Sequence, residues 1–310
     1  MKLIQLKILN ALVDNNFNIT KAAKQLKIAQ SAASRQLMLL ERELKVELFI
    51  RKGKRFIKYS DTGSGIDGFI NRILLEEKNI LQFVSSLNDN TEKILTLATT
   101  HTQARYFLPH VISKLSKKFP ILKFRIEQGT PQQVADLLDK NKVSFALCTE
   151  MLDTYSDFKT YDCYQWNHIA IVAKNHPLAS IGTVKLKTLS EYNLITYNIG
   201  FTGRSVLNNI FTMNKLPMRV VLSATDSDVI KTFVKQSLGV GIINQLAFQE
   251  EDKNYLVIIP IQELRVGCVT KLAIKKSLYL PRLFKEVIHF ILDEGKRIEK
   301  KLIIKSQRFD

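Results

Sequence analysis

The sequence predicts a mainly α winged helix-turn-helix, then a linker helix, then an α/β sensor domain of two lobes. Three observations predict it. Helical apolar spacing with a short break at Lys27-Ile28 opens the chain. A heptad-spaced stretch follows from about Thr62. Beyond Asn90, short apolar strands alternate with amphipathic helices. With 310 residues, 45% of them hydrophobic, the chain can build more than one core.

Leu6, Leu9, Leu12 and Val13 share one face of a first helix over residues 3–13, and the polar run Asp14-Asn15-Asn16 ends it. Asn18-Ile19-Thr20 then caps a short helix carrying Ala22, Ala23 and Leu26, whose small residues let a neighbouring helix approach closely. After Lys27-Ile28 a longer helix runs from about Gln30 to Leu44, burying Leu37, Leu40 and Leu44. Its first turns leave Gln30, Ser31, Ser34 and Arg35 facing outward. Those side chains suit a major groove, because Gln pairs bidentately with adenine, Arg with guanine, and Ser with either. The segment 51–59 reads as a basic hairpin turning at Gly53, a wing whose Lys52, Lys54 and Arg55 would lie along phosphates and position the module without reading sequence.

Charge agrees with a nucleic-acid partner. The formal net charge is +17, and residues 1–62 hold 13 Lys and Arg against 5 Asp and Glu. From about Thr62 to Leu87, Ile66, Ile73, Ile80 and Leu87 recur every seven residues with Phe69 and Phe83 beside them, a seam that asks for a partner helix; Glu76 interrupts it. The chain therefore divides into a DNA-binding domain (1–60), a linker and dimerisation helix (61–90), and a two-lobed effector-binding domain (91–310). Lobe I takes about 91–164 and 266–300, lobe II about 165–265.

In the last domain the strands fall at 94–98, 124–127 and 143–147 for a first set, with helices after Gln103 and Pro131. A second set has strands at 168–173, 194–197, 220–223 and 240–243, with helices from about Arg204 and Asp226. Strands near 256–260 and 269–275 and a helix from Pro281 return to the first set, and the basic tail from Lys296 reads as a frayed helix end. Ligands in open α/β sheets bind beyond the carboxyl ends of strands. Three polar clusters fall there: Thr99-Thr100-His101-Thr102-Gln103, Cys148-Thr149-Glu150, and Phe201-Thr202-Gly203-Arg204-Ser205. Hydroxyls and unpaired N–H groups at helix starts make such clusters anion sites. Trp166 and Tyr164 would wall a pocket between the lobes.

Enzyme readings lack support: no GxSxG, HExxH, CxxC, phosphate-loop or dinucleotide glycine pattern occurs, and the five histidines are dispersed. No cofactor or metal is expected. Three scattered cysteines argue against a disulfide framework, and the charged opening MKLIQLKILN resembles no export signal, so a cytoplasmic protein without membrane segments is expected.

Residues 1–60 resemble the DNA-binding domain of LysR-type regulators through Asn18-Ile19-Thr20-Lys21-Ala22-Ala23, the run Gln30 to Leu37, Leu40-Glu41 and Leu48-Phe49-Ile50-Arg51. In the sensor domain, TTHTQARYFLP at 99–109, QGTPQQVADLL at 128–138, CYQWNH at 163–168, GFTGRS at 200–205 and ATDSDVIKTFV at 224–234 resemble the cysteine-regulon activators of that family. The resemblance implies a sensor like a periplasmic binding protein, a homodimer or homotetramer, binding to promoter DNA and possible contact with RNA polymerase. It implies activation of sulfate assimilation and cysteine synthesis in response to sulfate, thiosulfate, N-acetylserine or O-acetylserine. By motif match, the anion-binding positions are Thr100, Thr102, Gln103, Thr149 and Thr202, with Trp166 beside them. Two departures stand at the DNA end: Ala29 where the family caps its recognition helix with Ser or Thr, and Lys45 where Gly is usual. Three other readings stay open: a regulator of alternative sulfur (sulfonate) use, a cytoplasmic binding protein that only sequesters a metabolite, and a nonselective DNA organiser.

Overall fold

The computed structural model describes residues 1–53, 55–87 and 92–307; Lys54 of the expected wing and residues 88–90 of the expected linker lie outside the described residues. Met1–Leu87 folds as one unit and Asn88–Asp310 as another.

In the first unit, α1 (Leu3–Asp14), α2 (Ile19–Gln25) and α3 (Gln30–Leu44) precede a hairpin of β1 (Phe49–Lys52) and β2 (Arg55–Tyr59), and α4 (Asp61–Ser86) closes it. The Asn18 side chain accepts from the Lys21 amide at 3.1 Å and so starts α2. Leu6, Leu9, Leu12, Ala22, Leu37 and Leu40 form a core with Leu48 and Phe49. Leu44 departs from expectation at 39% exposed. The inward place near that end of α3 belongs to Glu41, which accepts from the Leu48 amide at 2.9 Å and pairs with Arg51. Lys45 then ends the helix in the left-handed conformation, φ 56°, as its place in the sequence required.

Ser60 caps α4 by accepting from the Gly63 amide at 3.0 Å, and Gly63 must be small: a Cβ there would lie 2.1 Å from the Leu48 carbonyl oxygen. Ile70 and Leu75 of α4 are buried, whereas Phe69, Ile80, Phe83 and Leu87 lie open on this single chain.

The second unit begins with β3 (Lys93–Thr99), α5 (His101–Tyr106), α6 (Leu108–Lys118), β4 (Leu122–Gln128), α7 (Pro131–Asp139), β5 (Phe145–Cys148) and β6 (Phe158–Trp166). It continues with β7 (His168–Ala173), α8 (Leu186–Leu189), β8 (Leu194–Tyr197), α9 (Thr202–Met213), β9 (Val220–Ala224), α10 (Ser227–Lys235), β10 (Val240–Asn244) and β11 (Leu256–Ile259). β12 (Cys268–Lys275) and α11 (Arg282–Gln307) end it. Two five-stranded sheets result, ordered β4-β3-β5-β12-β6 and β11-β7-β10-β8-β9. Each belongs to one lobe. Leu97, Phe145, Leu147 and Leu272 lie in the core of lobe I, and Val172, Leu207, Val240 and Ile242 in that of lobe II.

Four details differ from the sequence reading. The helix expected after Gln103 starts at His101 and is broken into α5 and α6 around Phe107, with Pro109 in the first turn of α6, where its missing N–H does no harm. β6, not anticipated, pairs with β12 in eight register positions from Cys268↔Trp166 to Lys275↔Phe158. β11 joins the second sheet, antiparallel to β7, instead of returning to the first. Finally, the basic tail is ordered helix through Gln307, and Leu302 within it is 5% exposed in the lobe I core.

All three cysteines are buried and unpaired. Among the described residues, no helix is long and apolar enough to cross a membrane, and no cluster of His, Cys, Asp and Glu could hold a metal ion.

Candidate functional site

The sheets exchange the chain twice. β6 passes into β7 through the single residue Asn167, and residues 260–267 carry it back to β12. Asn167 fastens both passages: its carbonyl accepts from the Gln245 amide at 3.0 Å and its side chain from the Gly267 amide at 2.9 Å. Beside this junction the carboxyl ends of strands from both sheets face a common cleft enclosing about 400 Å³, its open mouth included.

All six residues expected to hold an effector line it: Thr100, Thr102, Gln103, Thr149, Trp166 and Thr202. Thr100 follows β3, Thr149 follows β5, and Thr202 opens α9, so each hydroxyl sits where a strand gives way to a helix or turn. The Thr149 and Thr202 hydroxyls are 2.5 Å apart, one from each lobe. Gln103 is oriented from two sides: its carbonyl oxygen accepts from the Thr100 hydroxyl, and its amide donates to Thr270 at 3.1 Å.

The sequence reading did not select Pro131, Tyr197, Thr225 and Asn244, which complete the wall together with Phe201 and Gly203 of the third polar cluster. Thr225 directly follows β9 and Asn244 ends β10, so the strand-end rule applied to every strand would have found them. Gly203 is there for space: an added Cβ would lie 3.0 Å from His168 Nε2 and 3.2 Å from Trp166 Cη2. Burial pushes the His168 imidazole down to about 4, so it stands neutral behind the wall at neutral pH.

Among the described residues, the lining contains no Lys, Arg, Asp or Glu. Its polarity comes from neutral donors and from helix starts. Neither Thr100 before α5 nor Phe201 before α9 caps its helix with a side chain, whereas Thr130 and Gln133 form a full capping box on α7. Uncapped N–H groups and the positive end of the helix dipole are what an anion satisfies. The buried indole N–H of Trp166 has no protein partner either, a further donor beside the cleft.

In the first unit, Gln30, Ser31 and Arg35 are exposed on the opening turns of α3 and Ser34 is half-buried, so all four share the outward side. Lys52 and Arg55 are exposed and face each other across the hairpin, whose turn residue Gly53 has φ 62°. Arg51 is held inward by Glu41 and lies over the Phe56 ring at 4.9 Å, which fastens the wing to α3. Structure thus gathers the expected contacts into two groups, one on a helix and one on a hairpin.

Comparison with known proteins gives a family for both parts of the chain. Residues 3–64 match the lysR family of bacterial regulatory helix-turn-helix proteins, and residues 88–296 match the LysR substrate binding domain. The chain is 39% identical to the HTH-type transcriptional regulator CysB of Burkholderia cenocepacia over 280 residues, 90% of each chain. It is 37% identical to the regulator SsuR of the same organism, over 90% of this chain and 91% of that one. Among solved structures, the cofactor-binding domain of the Cbl transcriptional regulator superposes with a TM-score of 0.62 at 32% identity, covering 67% of this chain and 93% of that one.

Proposed function

We propose, from the premise that this chain belongs to the LysR family of transcription regulators, that it reads promoter DNA of sulfur-assimilation and cysteine-synthesis genes and changes its action when a small sulfur-bearing anion enters the cleft. The family is one of regulators rather than enzymes. One observation carries the reading: two helix starts without side-chain caps and seven Thr, Gln and Asn side chains from both lobes converge on one cleft whose described lining has no charged side chain. Neutral donors suit an anion that has no proton to share, and sulfate and thiosulfate are such anions at neutral pH; N-acetylserine and O-acetylserine also offer a carboxylate.

On the DNA side, α3 presents Gln30, Ser31, Ser34 and Arg35 to the major groove while Lys52 and Arg55 follow the phosphates. The open apolar seam of α4 supports pairing with a second copy, as a homodimer within a homotetramer. Ligand bound between the lobes would favour their closed arrangement and, through the assembly, the spacing of the paired DNA-reading heads and their contact with RNA polymerase. The setting is the cytoplasm, where promoter DNA is.

The test is binding of the purified chain to DNA upstream of its own gene and of sulfur-assimilation genes at fixed salt, with and without sulfate, thiosulfate, N-acetylserine and O-acetylserine. Selective binding shifted by one of them is expected. Promoters of alternative sulfur (sulfonate) use belong in the same assay, and preference for them would move the assignment. Binding of the small molecules with no DNA preference would replace regulation by sequestration.

A further inference from the structure

Only the first turn of α5 belongs to the cleft; its last turn crosses to lobe II. Arg105 pairs with Asp228 of α10. The Tyr106 hydroxyl donates to Asp228 Oδ1 at 2.5 Å and accepts from Lys231 Nζ at 3.0 Å. Lys231 is 5% exposed, and its ammonium also meets Asp252 Oδ2 at 2.8 Å, Asp228 Oδ1 at 3.0 Å and the Ala247 carbonyl at 2.9 Å. The Tyr106 ring packs against the apolar cores of both lobes. One turn back, Thr102 lies 3.5 Å from the Ser227 hydroxyl, which is 2.8 Å from the hydroxyl of Tyr197, a cleft residue.

We propose that this bridge between α5 and α10, centred on the Tyr106 hydroxyl, is a latch that holds the two lobes at their closed spacing and so positions the threonine donors of the cleft.

The division of partners makes it a latch and not a weld. Lys231, Asp228, Asp252 and the Ala247 carbonyl all belong to lobe II, so the buried ammonium keeps its neutralising carboxylates whether or not lobe I is docked. Lobe I contributes Arg105, 64% exposed at its side chain, the Tyr106 phenol and, one turn back, the Thr102 hydroxyl. Undocking therefore breaks hydrogen bonds and uncovers the Tyr106 ring but strands no buried charge. Because Thr100, Thr102 and Gln103 ride on or beside the same short helix as Arg105 and Tyr106, the latch and the donors move together.

Trp166 reports on the latch. It is the sole tryptophan, 4% exposed, with its ring edge against Gly203 at the start of α9 in the other lobe. In the full-length chain without added anion, Tyr106→Phe is expected to shift Trp166 emission to the red and to raise its acrylamide quenching roughly two-fold as the lobes part. Arg105→Gln should do the same to a smaller degree, and since Arg105 is exposed it carries the test if Tyr106→Phe fails to fold by circular dichroism.

Sulfate is then the probe. Its effect on the latch variants rests on the effector reading of the cleft, and both variants should need roughly ten-fold more sulfate than the parent to regain the parent's liganded emission. Emission and quenching equal to the parent's in both variants would overturn the latch. Reddened variants with no response to sulfate, thiosulfate or the acetylserines in any protein, the parent included, would leave the latch standing and remove the effector reading instead.

Discussion

Thr149 and Thr202, 53 residues apart in the chain, hold their hydroxyl oxygens 2.5 Å apart across the boundary between the lobes. Thr149 follows the last residue of β5 in the first sheet, and Thr202 is the first residue of α9, after β8 in the second. In the proposed reading, an anion that takes a hydrogen bond from each, replacing the one the two hydroxyls share, would tie the lobes together, so that binding and closure become one equilibrium.

Thr149→Ala and Thr202→Ala should each weaken binding of the effector anion by roughly 10- to 100-fold, the loss of about 1.5–3 kcal/mol for a hydrogen bond to a charged group. Thr149→Ser, which retains the hydroxyl, should stay close to the parent. Calorimetric titration with sulfate and thiosulfate measures this; parental affinity in both alanine variants would mean the ligand sits elsewhere.

The two groups of proposed DNA contacts should fail differently. Arg35→Ala is expected to cost about 1–3 kcal/mol on the preferred site and to relax selectivity at one base pair. Lys52→Gln and Arg55→Gln should weaken binding to all sequences alike and lower the salt dependence by about one unit of slope each. Competition binding across a salt series separates these outcomes, and a sequence-independent loss in Arg35→Ala would remove it from base reading.

Ala29 precedes α3 with φ −67° and ψ 141°, the extended geometry of a capping residue, but offers no side-chain acceptor. Ala29→Ser should therefore stabilise the DNA-binding unit by about 0.5–2 kcal/mol. Thermal or urea unfolding reads the gain; a variant no more stable than the parent would show that solvent already satisfies the first amides of α3.

His168 gives the protein an acid sensitivity whose sign is set. Burial lowers its folded-state value to about 4, below the ordinary value of roughly 6.5, so the unfolded chain binds the extra proton first. Its contribution is fully present above about pH 6.5 and is lost as pH falls from there toward 4, by up to about 1.4 kcal/mol per pH unit from this one group. Urea unfolding of the parent and of His168→Gln at several pH values across that window should give a shallower slope for the variant, and parallel slopes would refute the assignment.

Local spacing made much of this protein legible. Asn18, Ala22, Ala23 and the run from Gln30 to Arg35 announce a helix-turn-helix because capping, close approach and one-sided burial each depend on residues a few positions apart. The clusters at Thr100, Thr149 and Thr202 were legible for a similar reason, since a strand followed by hydroxyls and a helix start is a local pattern. The Lys45 left-handed end of α3 was legible too.

Other features depend on partners far along the chain. β6 mixes Lys159, Asp162 and Gln165 with apolar residues and shows no clear period, and it becomes a strand by pairing with β12, about a hundred residues on. Leu44 has the spacing of a buried residue but is exposed, because Glu41, satisfied by Leu48 and Arg51, takes the inward place. Lysines are seldom buried, yet Lys231 is, because Asp228 and Asp252 neutralise it there.

By itself, then, the sequence determined the helix-turn-helix and its hairpin, the alternation of strands and helices, and the polar clusters at the strand ends, all of which follow from interactions within a few turns of chain. Only the tertiary structure decided that strand ends from two sheets face one cleft, that Pro131 and Tyr197 join its wall, and that α5 reaches from that cleft to Asp228 and Lys231 of the other lobe. The physical reason is that sheet order and lobe docking are set by burial and hydrogen bonding between residues tens to hundreds of positions apart, which no local period encodes.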